Sequence, residues 1–581
     1  MVRKVLCALL IVMLAGVFQA AAAKTLIEVK VEGVGGKVKK NVLSYLSLEK
    51  QKKAPELNDE IVNSLYARAS EEIRTALQPF GFYTPTIKSS LAKKDGRWQA
   101  AFSIDPGPPV RIEKLDFRIT GEGAGQAVFR DFVKKYPLKT GDVLNEQVYD
   151  KAKTSLEGLA EDSGYLNAGW TDHRILVDPK RHTAAIYLDF NTGPQFRFGD
   201  VTFIQTKKIL NRRFLRKFVT FKKGDPFNVS ALLNFQDSLN ISGYFSQVLV
   251  TPLRGQAVGL LVPVQVTLTP AKKYQISVGG GYGTDTGLRG RINWVDRRLN
   301  RKGHKMEVDL GISEIKQIAQ WRYIVPYHPP AAHLDYTVGY TAEDTDIEKS
   351  QTYMAGVSYT RPLSPRWLQM LYFNVEREHF NVAGESATSK LIIPGGTWTF
   401  KRAPASPYAN EGILLIVDAK GTSKVMGSSV NVVQGELRPK YVRGVYGFGS
   451  LVLRGALGAT WVDNFQRLPA TLRFFAGGDN SIRGYSYKTL GPKNALGQVE
   501  GGKYLLTASI EYDQIVYKKW GAAVFYDGGN AFSSFPPTWK SGAGVGIRWL
   551  SPVGPARIDF AWSISDPNPS FHVYVSIGPE I

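Results

Sequence analysis

The chain has 581 residues, 43% of them apolar and only 21% charged, with 57 glycines and 12% aromatic residues. Lys and Arg number 73 against 51 Asp and Glu, a formal net charge of +22 shared evenly between the two halves of the chain. This balance excludes a disordered charged tail and a polytopic helical membrane protein, the even spread argues against a nucleic-acid-binding domain, and the length suits three or more domains or one large barrel.

Residues 1–23 read as a secretory signal peptide. Arg3 and Lys4 form the charged region, Val5 to Phe18 the apolar region, and Ala21-Ala22-Ala23 the small-residue cleavage site. The single cysteine, Cys7, falls inside it. The exported chain therefore has no thiol for a disulfide, a metal site or catalysis. No later run of 18 or more apolar residues occurs, which leaves a soluble exported protein or a β-barrel.

Three signatures recur between Lys24 and Pro270. A helical stretch ends at Gly81-Phe82-Tyr83, Gly164-Tyr165-Leu166 and Gly243-Tyr244-Phe245, about 80 residues apart, each a glycine helix stop leading into a strand. Gly107-Pro108 opens an alternating run to Phe117, matched by Gly193-Pro194 to Phe203. Gly141-Asp142-Val143-Leu144-Asn145 is matched by Gly224-Asp225-Pro226-Phe227-Asn228, with the Asn placed as a helix N-cap. Self-similarity at a fixed period means tandem modules. Each reads strand, helix, helix, strand, strand, with boundaries at 24–108, 109–194 and 195–266.

In the third module Lys207, Lys208, Arg212, Arg213, Arg216, Lys217, Lys222 and Lys223 interleave with Ile209, Leu210, Phe214, Leu215 and Phe218, with no acid between Asp200 and Asp225. The spacing predicts an amphipathic helix. A solvated basic face is the plain reading; attraction of Arg212, Arg213, Arg216 and Lys217 to anionic headgroups or acidic segments is the functional one.

From residue 267 to 581 the pattern changes to a period of two. Met306, Val308, Leu310 and Ile312 alternate with polar or small residues, as do Phe571, Val573, Val575 and Ile577. Two-faced strands of this kind, apolar outside and polar inside, are the signature of an antiparallel transmembrane β-barrel, and the length accommodates about sixteen, with fourteen or eighteen fitting almost as well.

Motifs for chemistry are absent. The seven histidines form no pair at metal-ligand helical spacing, and neither H-E-x-x-H nor G-x-S-x-G occurs. Gly497 to Lys503 imitates a phosphate loop, but Tyr504 stands where a Ser or Thr is needed. No enzyme, cofactor or metal is expected. The informative stretch is a polar, Gly-rich loop from Ala476 to Gly502, long enough to suggest function.

The repeats resemble POTRA domains, and with the barrel they resemble the Omp85 family of outer-membrane assembly proteins. Ile482-Arg483-Gly484-Tyr485 is similar to the motif at the tip of that family's sixth extracellular loop. The resemblance implies that the loop folds into the barrel and that Arg483 meets carboxylates on neighbouring strands, Glu511 and Asp527. Arginine offers a rigid fork for such a pair. Three repeats are most similar to the TamA branch; two-partner secretion transporters have two, and BamA-type factors typically five. By the same resemblance the chain is expected to be a non-enzymatic outer-membrane insertase that helps insert or secrete barrel proteins such as autotransporters. Its implied partners are a TamB-like inner-membrane-anchored protein, unfolded clients and outer-membrane lipids, with a contribution to phospholipid transport. The resemblance also implies a weak lateral seam between Gln275–Gly281 and Val573–Ile577, whose edges template an incoming strand. The rival readings are a two-partner secretion transporter and a passive channel or receptor.

Overall fold

The computed structural model describes residues 26–54, 56–327, 331–404, 411–445, 449–551 and 554–577; the signal peptide expected at residues 1–23 lies outside them. The first module is β1 (Leu26–Glu32), helices α1 (Gly36–Tyr45), α2 (Ser47–Gln51) and α3 (Asp59–Leu77), then β2 (Thr86–Lys94) and β3 (Arg97–Asp105). The second runs β4 (Arg111–Thr120), α4 (Ala127–Lys134), α5 (Glu146–Asp162), β5 (Gly169–Asp178) and β6 (Thr183–Asn191). The third runs β7 (Arg197–Gln205), α6 (Arg212–Leu215), α7 (Val229–Ile241), β8 (Phe245–Pro252) and β9 (Leu261–Pro270). All three sheets place the last strand in the middle, in the orders β1-β3-β2, β4-β6-β5 and β7-β9-β8. The repeated pattern thus folds as three copies of one α+β plan.

The recurring signatures are the joints between modules. Gly164, at φ +88°, ends the helical part of the second module, and a Cβ there would stand 2.7 Å from the Phe227 carbonyl oxygen. Its own carbonyl accepts from the Phe196 N–H at 2.8 Å, and Phe227 N–H donates to the Phe196 carbonyl at 2.9 Å. The same joint occurs one module earlier, where Val110 N–H donates to the Gly81 carbonyl at 2.8 Å and Leu144 N–H to the Val110 carbonyl at 2.9 Å. Asn145 and Asn228 cap the following helices, accepting from Val148 N–H at 3.1 Å and Ala231 N–H at 2.7 Å.

The basic stretch does not form the long amphipathic helix its pattern suggests. Residues 206–211 are irregular, α6 is a single turn, and a 3-10 turn, Arg216–Phe218, follows it. Its apolar residues are still buried, with Leu210 and Leu215 at 0% exposure and Phe218 at 2%. Burial of the apolar positions set the spacing, and isolated short helices carry little stability of their own.

Sixteen antiparallel strands make the second half. They are β10 (Tyr274–Gly283), β11 (Gly287–Asp296), β12 (Lys305–Ser313), β13 (Lys316–Pro326), β14 (His333–Asp344), β15 (Glu348–Pro362), β16 (Trp367–Val382) and β17 (Glu385–Arg402). The rest are β18 (Gly412–Thr422), β19 (Val432–Val445), β20 (Gly449–Val462), β21 (Tyr504–Tyr517), β22 (Trp520–Phe532), β23 (Lys540–Ser551), β24 (Gly554–Ser563) and β25 (Phe571–Ile577). Each strand pairs with its sequence neighbours. The alternation holds face by face: Leu310 and Ile312 are exposed while Asp309 is buried, and Val573 and Ile577 are exposed while Tyr574 is buried. Apolar side chains line the outside and polar ones the lumen, the arrangement a bilayer requires of a barrel. No described helix is long and apolar enough to cross a membrane.

Candidate functional site

The connection between β20 and β21 is packed rather than splayed. Its base zips through Phe474 and Gly502, whose backbones exchange hydrogen bonds at 3.0 and 2.7 Å. Ala476 and Leu490 exchange a second pair at 2.9 Å. Ile482, Arg483 and Tyr485 are 0%, 1% and 6% exposed, so the motif is the most enclosed part of the loop. Gly484 holds φ +96°, and a Cβ there would lie 2.7 Å from the backbone of Trp562 and Ser563.

Arg483 is the centre of a charge network. Its Nε and Nη2 donate to the two oxygens of Asp527 at 2.7 and 2.9 Å, and its backbone N–H reaches Asp527 Oδ2 at 3.0 Å. Nη1 donates to Glu511 at 2.6 Å and to Asp559 at 3.0 Å. The guanidinium lies 3.4 Å over the Phe525 ring, a cation–π contact in a desolvated place. Ser509 Oγ donates to Asp527 Oδ1 at 2.5 Å. Arg548, on β23, supplies a second cation: it donates to Glu511 and to Asp559 at 2.5 Å each and to Asp513 at 2.9 Å. Asp527 is 0% exposed and Glu511 3%, a burial that carboxylates tolerate only when paired and hydrogen-bonded.

Strand β23 makes room for this. Gly542, Gly544 and Gly546 share one face of it, and a Cβ at Gly542 would sit 1.8 Å from the Arg483 carbonyl oxygen. At Gly546 it would sit 2.1 Å from Asp559 Oδ1. The glycine stripe is the floor on which the loop tip rests.

Three further contacts hold the loop elsewhere. Lys488 Nζ donates to Glu343 on β14 at 2.7 Å and to Glu348 on β15 at 2.5 Å. Burial opposes the lysine charge, but Glu348 and Glu343 outweigh it and hold the ammonium above the ordinary lysine range. Thr471 Oγ1 donates to Glu378 on β16 at 2.5 Å. The loop also grips both edge strands: Tyr574 OH donates to the Tyr485 carbonyl at 2.7 Å and Ser570 Oγ to the Gly484 carbonyl at 2.7 Å. On the other edge, Asp479 N–H donates to Asp285 Oδ2 at 2.7 Å, in the turn after β10.

The sheet has two ends, β10 and β25, and no ladder joins them among the described residues. Their one described hydrogen bond runs from Val575 N–H to Thr284 Oγ1 at 3.0 Å. Antiparallel counting from it sets Tyr282 beside Ile577 and Gly283 beside Ser576. By the same count Val573–Ile577 face residues 282–286, so the expected stretch Gln275–Gly281 lies further toward the periplasmic end, opposite no described residue of β25. Gly279, Gly280 and Gly281 leave β10 poor in side chains, and the outward Ile276 and Val278 are 66% and 75% exposed.

Residues 274–580 match the Omp85 superfamily domain, and residues 28–106 match POTRA domain TamA domain 1. The chain belongs to the Omp85 superfamily. Among curated relatives it is 23% identical over 547 residues to outer envelope protein 80, chloroplastic, of Oryza sativa subsp. japonica, covering 83% of this chain and 76% of that one. It is 22% identical over 473 residues to outer membrane protein assembly factor BamA of Neisseria meningitidis serogroup B, covering 68% of this chain but only 58% of that relative. Among solved structures, BamA of Haemophilus ducreyi lacking POTRA domains 1–3 superposes with TM-score 0.64 at 17% identity, over 80% of this chain and 99% of that one; it shares the fold. An Omp85 barrel preceded by POTRA units is an outer-membrane protein with periplasmic repeats.

The structure brings Arg483, Glu511 and Asp527 together, and places Ile482, Gly484 and Tyr485 beside them. Sequence reasoning missed Asp559 and Arg548, although both occupy inward positions by strict alternation on β24 and β23. It also missed Lys488, Glu343 and Glu348, which are separated by about 140 residues and carry no local pattern. Among the described residues no group of His, Cys, Asp and Glu is arranged to hold a metal.

Proposed function

We propose that this Omp85 chain is a non-enzymatic outer-membrane insertase that helps fold or secrete client barrel proteins, autotransporters among them. The observation that carries the reading is the unpaired seam. Edges β10 and β25 present backbone N–H and C=O groups that no neighbouring strand takes up among the described residues, and such edges are templates for an added strand. Locally thinned bilayer beside a weak seam lowers the barrier to entry. The loop anchored by Arg483 touches both edges and so couples its own position to theirs. Similarity to the outer membrane protein assembly factor BamA of Neisseria meningitidis supports the same reading.

The match of residues 28–106 to a TamA-type first POTRA domain supports a TamB-like, inner-membrane-anchored partner for the periplasmic repeats, and with it a contribution to phospholipid transport. The test uses the full chain in liposomes. A urea-denatured client barrel should fold faster and in higher yield than in empty liposomes, without cofactor or nucleotide. A large, steady conductance with no gain in client folding would overturn the proposal in favour of a passive channel.

A further inference from the structure

The first periplasmic turn of the barrel, residues 297–304 between β11 and β12, is basic: it contains Arg297, Arg298, Arg301 and Lys302. The stretch at 207–217, some ninety residues earlier, packs against this turn. Asn211 N–H donates to the Arg301 carbonyl at 2.9 Å, and Tyr244 OH donates to the Gly303 carbonyl. Phe214 closes on the same glycine: a Cβ at Gly303 would lie 2.5 Å from the Phe214 ring. Phe214 in turn stacks edge-on against Tyr244 at 5.6 Å. A buried aromatic joint therefore holds the two segments in a fixed relation.

Their charges stay outside that joint. Lys207, Lys208, Arg212, Arg213 and Arg216 are exposed, as are Arg301 and Lys302, and among the described residues none of these seven makes an ion pair. The fields of the two segments overlap at His304, whose imidazole is pushed below its ordinary value first by burial and then by the charges of Lys302 and Lys217. Like charges are gathered here without acids to balance them, which self-repulsion disfavours unless an anion completes the patch.

The position identifies that anion. Strand β11 ends at Asp296, just before the turn, and its Trp294 stacks on Tyr274 at 5.7 Å. Outward Trp and Tyr at a strand end mark the headgroup level of a bilayer, so the turn leaves the membrane at that level on the periplasmic side. We propose that Lys207, Lys208, Arg212, Arg213, Arg216, Arg301 and Lys302 form a binding site for the phosphate headgroups of anionic phospholipid in the periplasmic leaflet. Occupied, the site fixes the β10–β11–β12 end of the sheet, one lip of the seam, against the membrane surface.

The experiment measures lipid binding to the full detergent-solubilised chain, by native mass spectrometry and by titration at low and high salt. Phosphatidylglycerol should bind at least about tenfold more tightly than phosphatidylcholine, with an advantage that shrinks as salt rises. Neutralising the early segment (R212Q/R213Q/R216Q) and the turn (R301Q/K302Q) separately should each reduce that preference, and the combination should abolish it. K518Q/K519Q, on another periplasmic turn, should leave it unchanged. Heat-modifiable gel migration verifies the barrel in every variant, and the turn variant alone suffices if the larger one fails to fold. Undiminished phosphatidylglycerol preference in R301Q/K302Q and in the early-segment variant would overturn the site. Equal, patch-dependent affinity for inorganic phosphate or for a polyglutamate peptide would overturn its assignment to lipid.

Discussion

Replacing Arg483 with alanine should release the loop tip while leaving the barrel standing. Both oxygens of Asp527 rest on Arg483, and the only other donor described to them is Ser509 Oγ. Glu511 and Asp559 keep Arg548, so the charge left without a cation is Asp527, which is 0% exposed. Breaking one buried pair in this way costs about 3–5 kcal/mol, which is roughly two to three and a half powers of ten in the ratio of docked to released loop. Hydrogen–deuterium exchange on the full chain reads this directly at residues 476–490. The variant should lose protection there by that order and keep it in β16 and β17. Adding Asp527→Asn to Arg483→Ala should recover part of the loss, because the orphan charge is gone. Equal protection of the loop in wild type and Arg483→Ala would refute the reasoning, since no other described cation hydrogen-bonds to Asp527.

Lys488→Met should free the other side of the loop, because Glu348 loses its cation while Glu343 keeps Lys316; protease cleavage near residue 488 is the readout, with Lys488→Arg expected to resist better than Met. Gly542→Ala should displace the tip without removing any charge, as its Cβ would meet the Arg483 carbonyl oxygen at 1.8 Å, and a lowered melting temperature with an unchanged barrel would register it. Burial raises the Asp285 carboxyl to about 6, so its docking under the loop is strongest when it is protonated: this contribution is complete below about pH 4 and is lost as pH rises through about 6. Exchange at residues 281–289, corrected for intrinsic rates, should therefore be slower at pH 5 than at pH 7.5, and Asp285→Asn should remove the difference.

The parts of this molecule that were legible in the sequence are those written locally. Gly81 and Gly164 recur because each module must end a helix and dock on the next strand, and the strands from Lys305 onward alternate because one face meets lipid and the other the lumen. Arg483, Glu511 and Asp527 were reached through a short motif and a family resemblance. Lys488 with Glu343 and Glu348 was not legible, since only closure of the barrel brings β14 and β15 to the loop. Gly542, Gly544 and Gly546 read as ordinary strand glycines until the loop tip is seen resting on them. The basic stretch misled in shape, because its apolar spacing served the buried joint at Phe214 and Gly303 rather than a long helix.

Insertion through the barrel wall requires that the seam between β10 and β25 open for a client. The sequence has a single cysteine, Cys7, in the expected signal peptide, so an introduced pair meets no other native thiol. Tyr282→Cys with Ile577→Cys, and Gly283→Cys with Ser576→Cys, place thiols at the positions counted from the Thr284–Val575 contact, and a disulfide forms only where Cα atoms come within roughly 4.4–6.8 Å. Val375→Cys with Ile392→Cys, a register pair between β16 and β17, is the control. Client folding in liposomes should stop when either seam pair is oxidised, return on reduction, and be indifferent to the control pair. An oxidised seam that inserts client as fast as the reduced one would contradict lateral opening as the route of insertion.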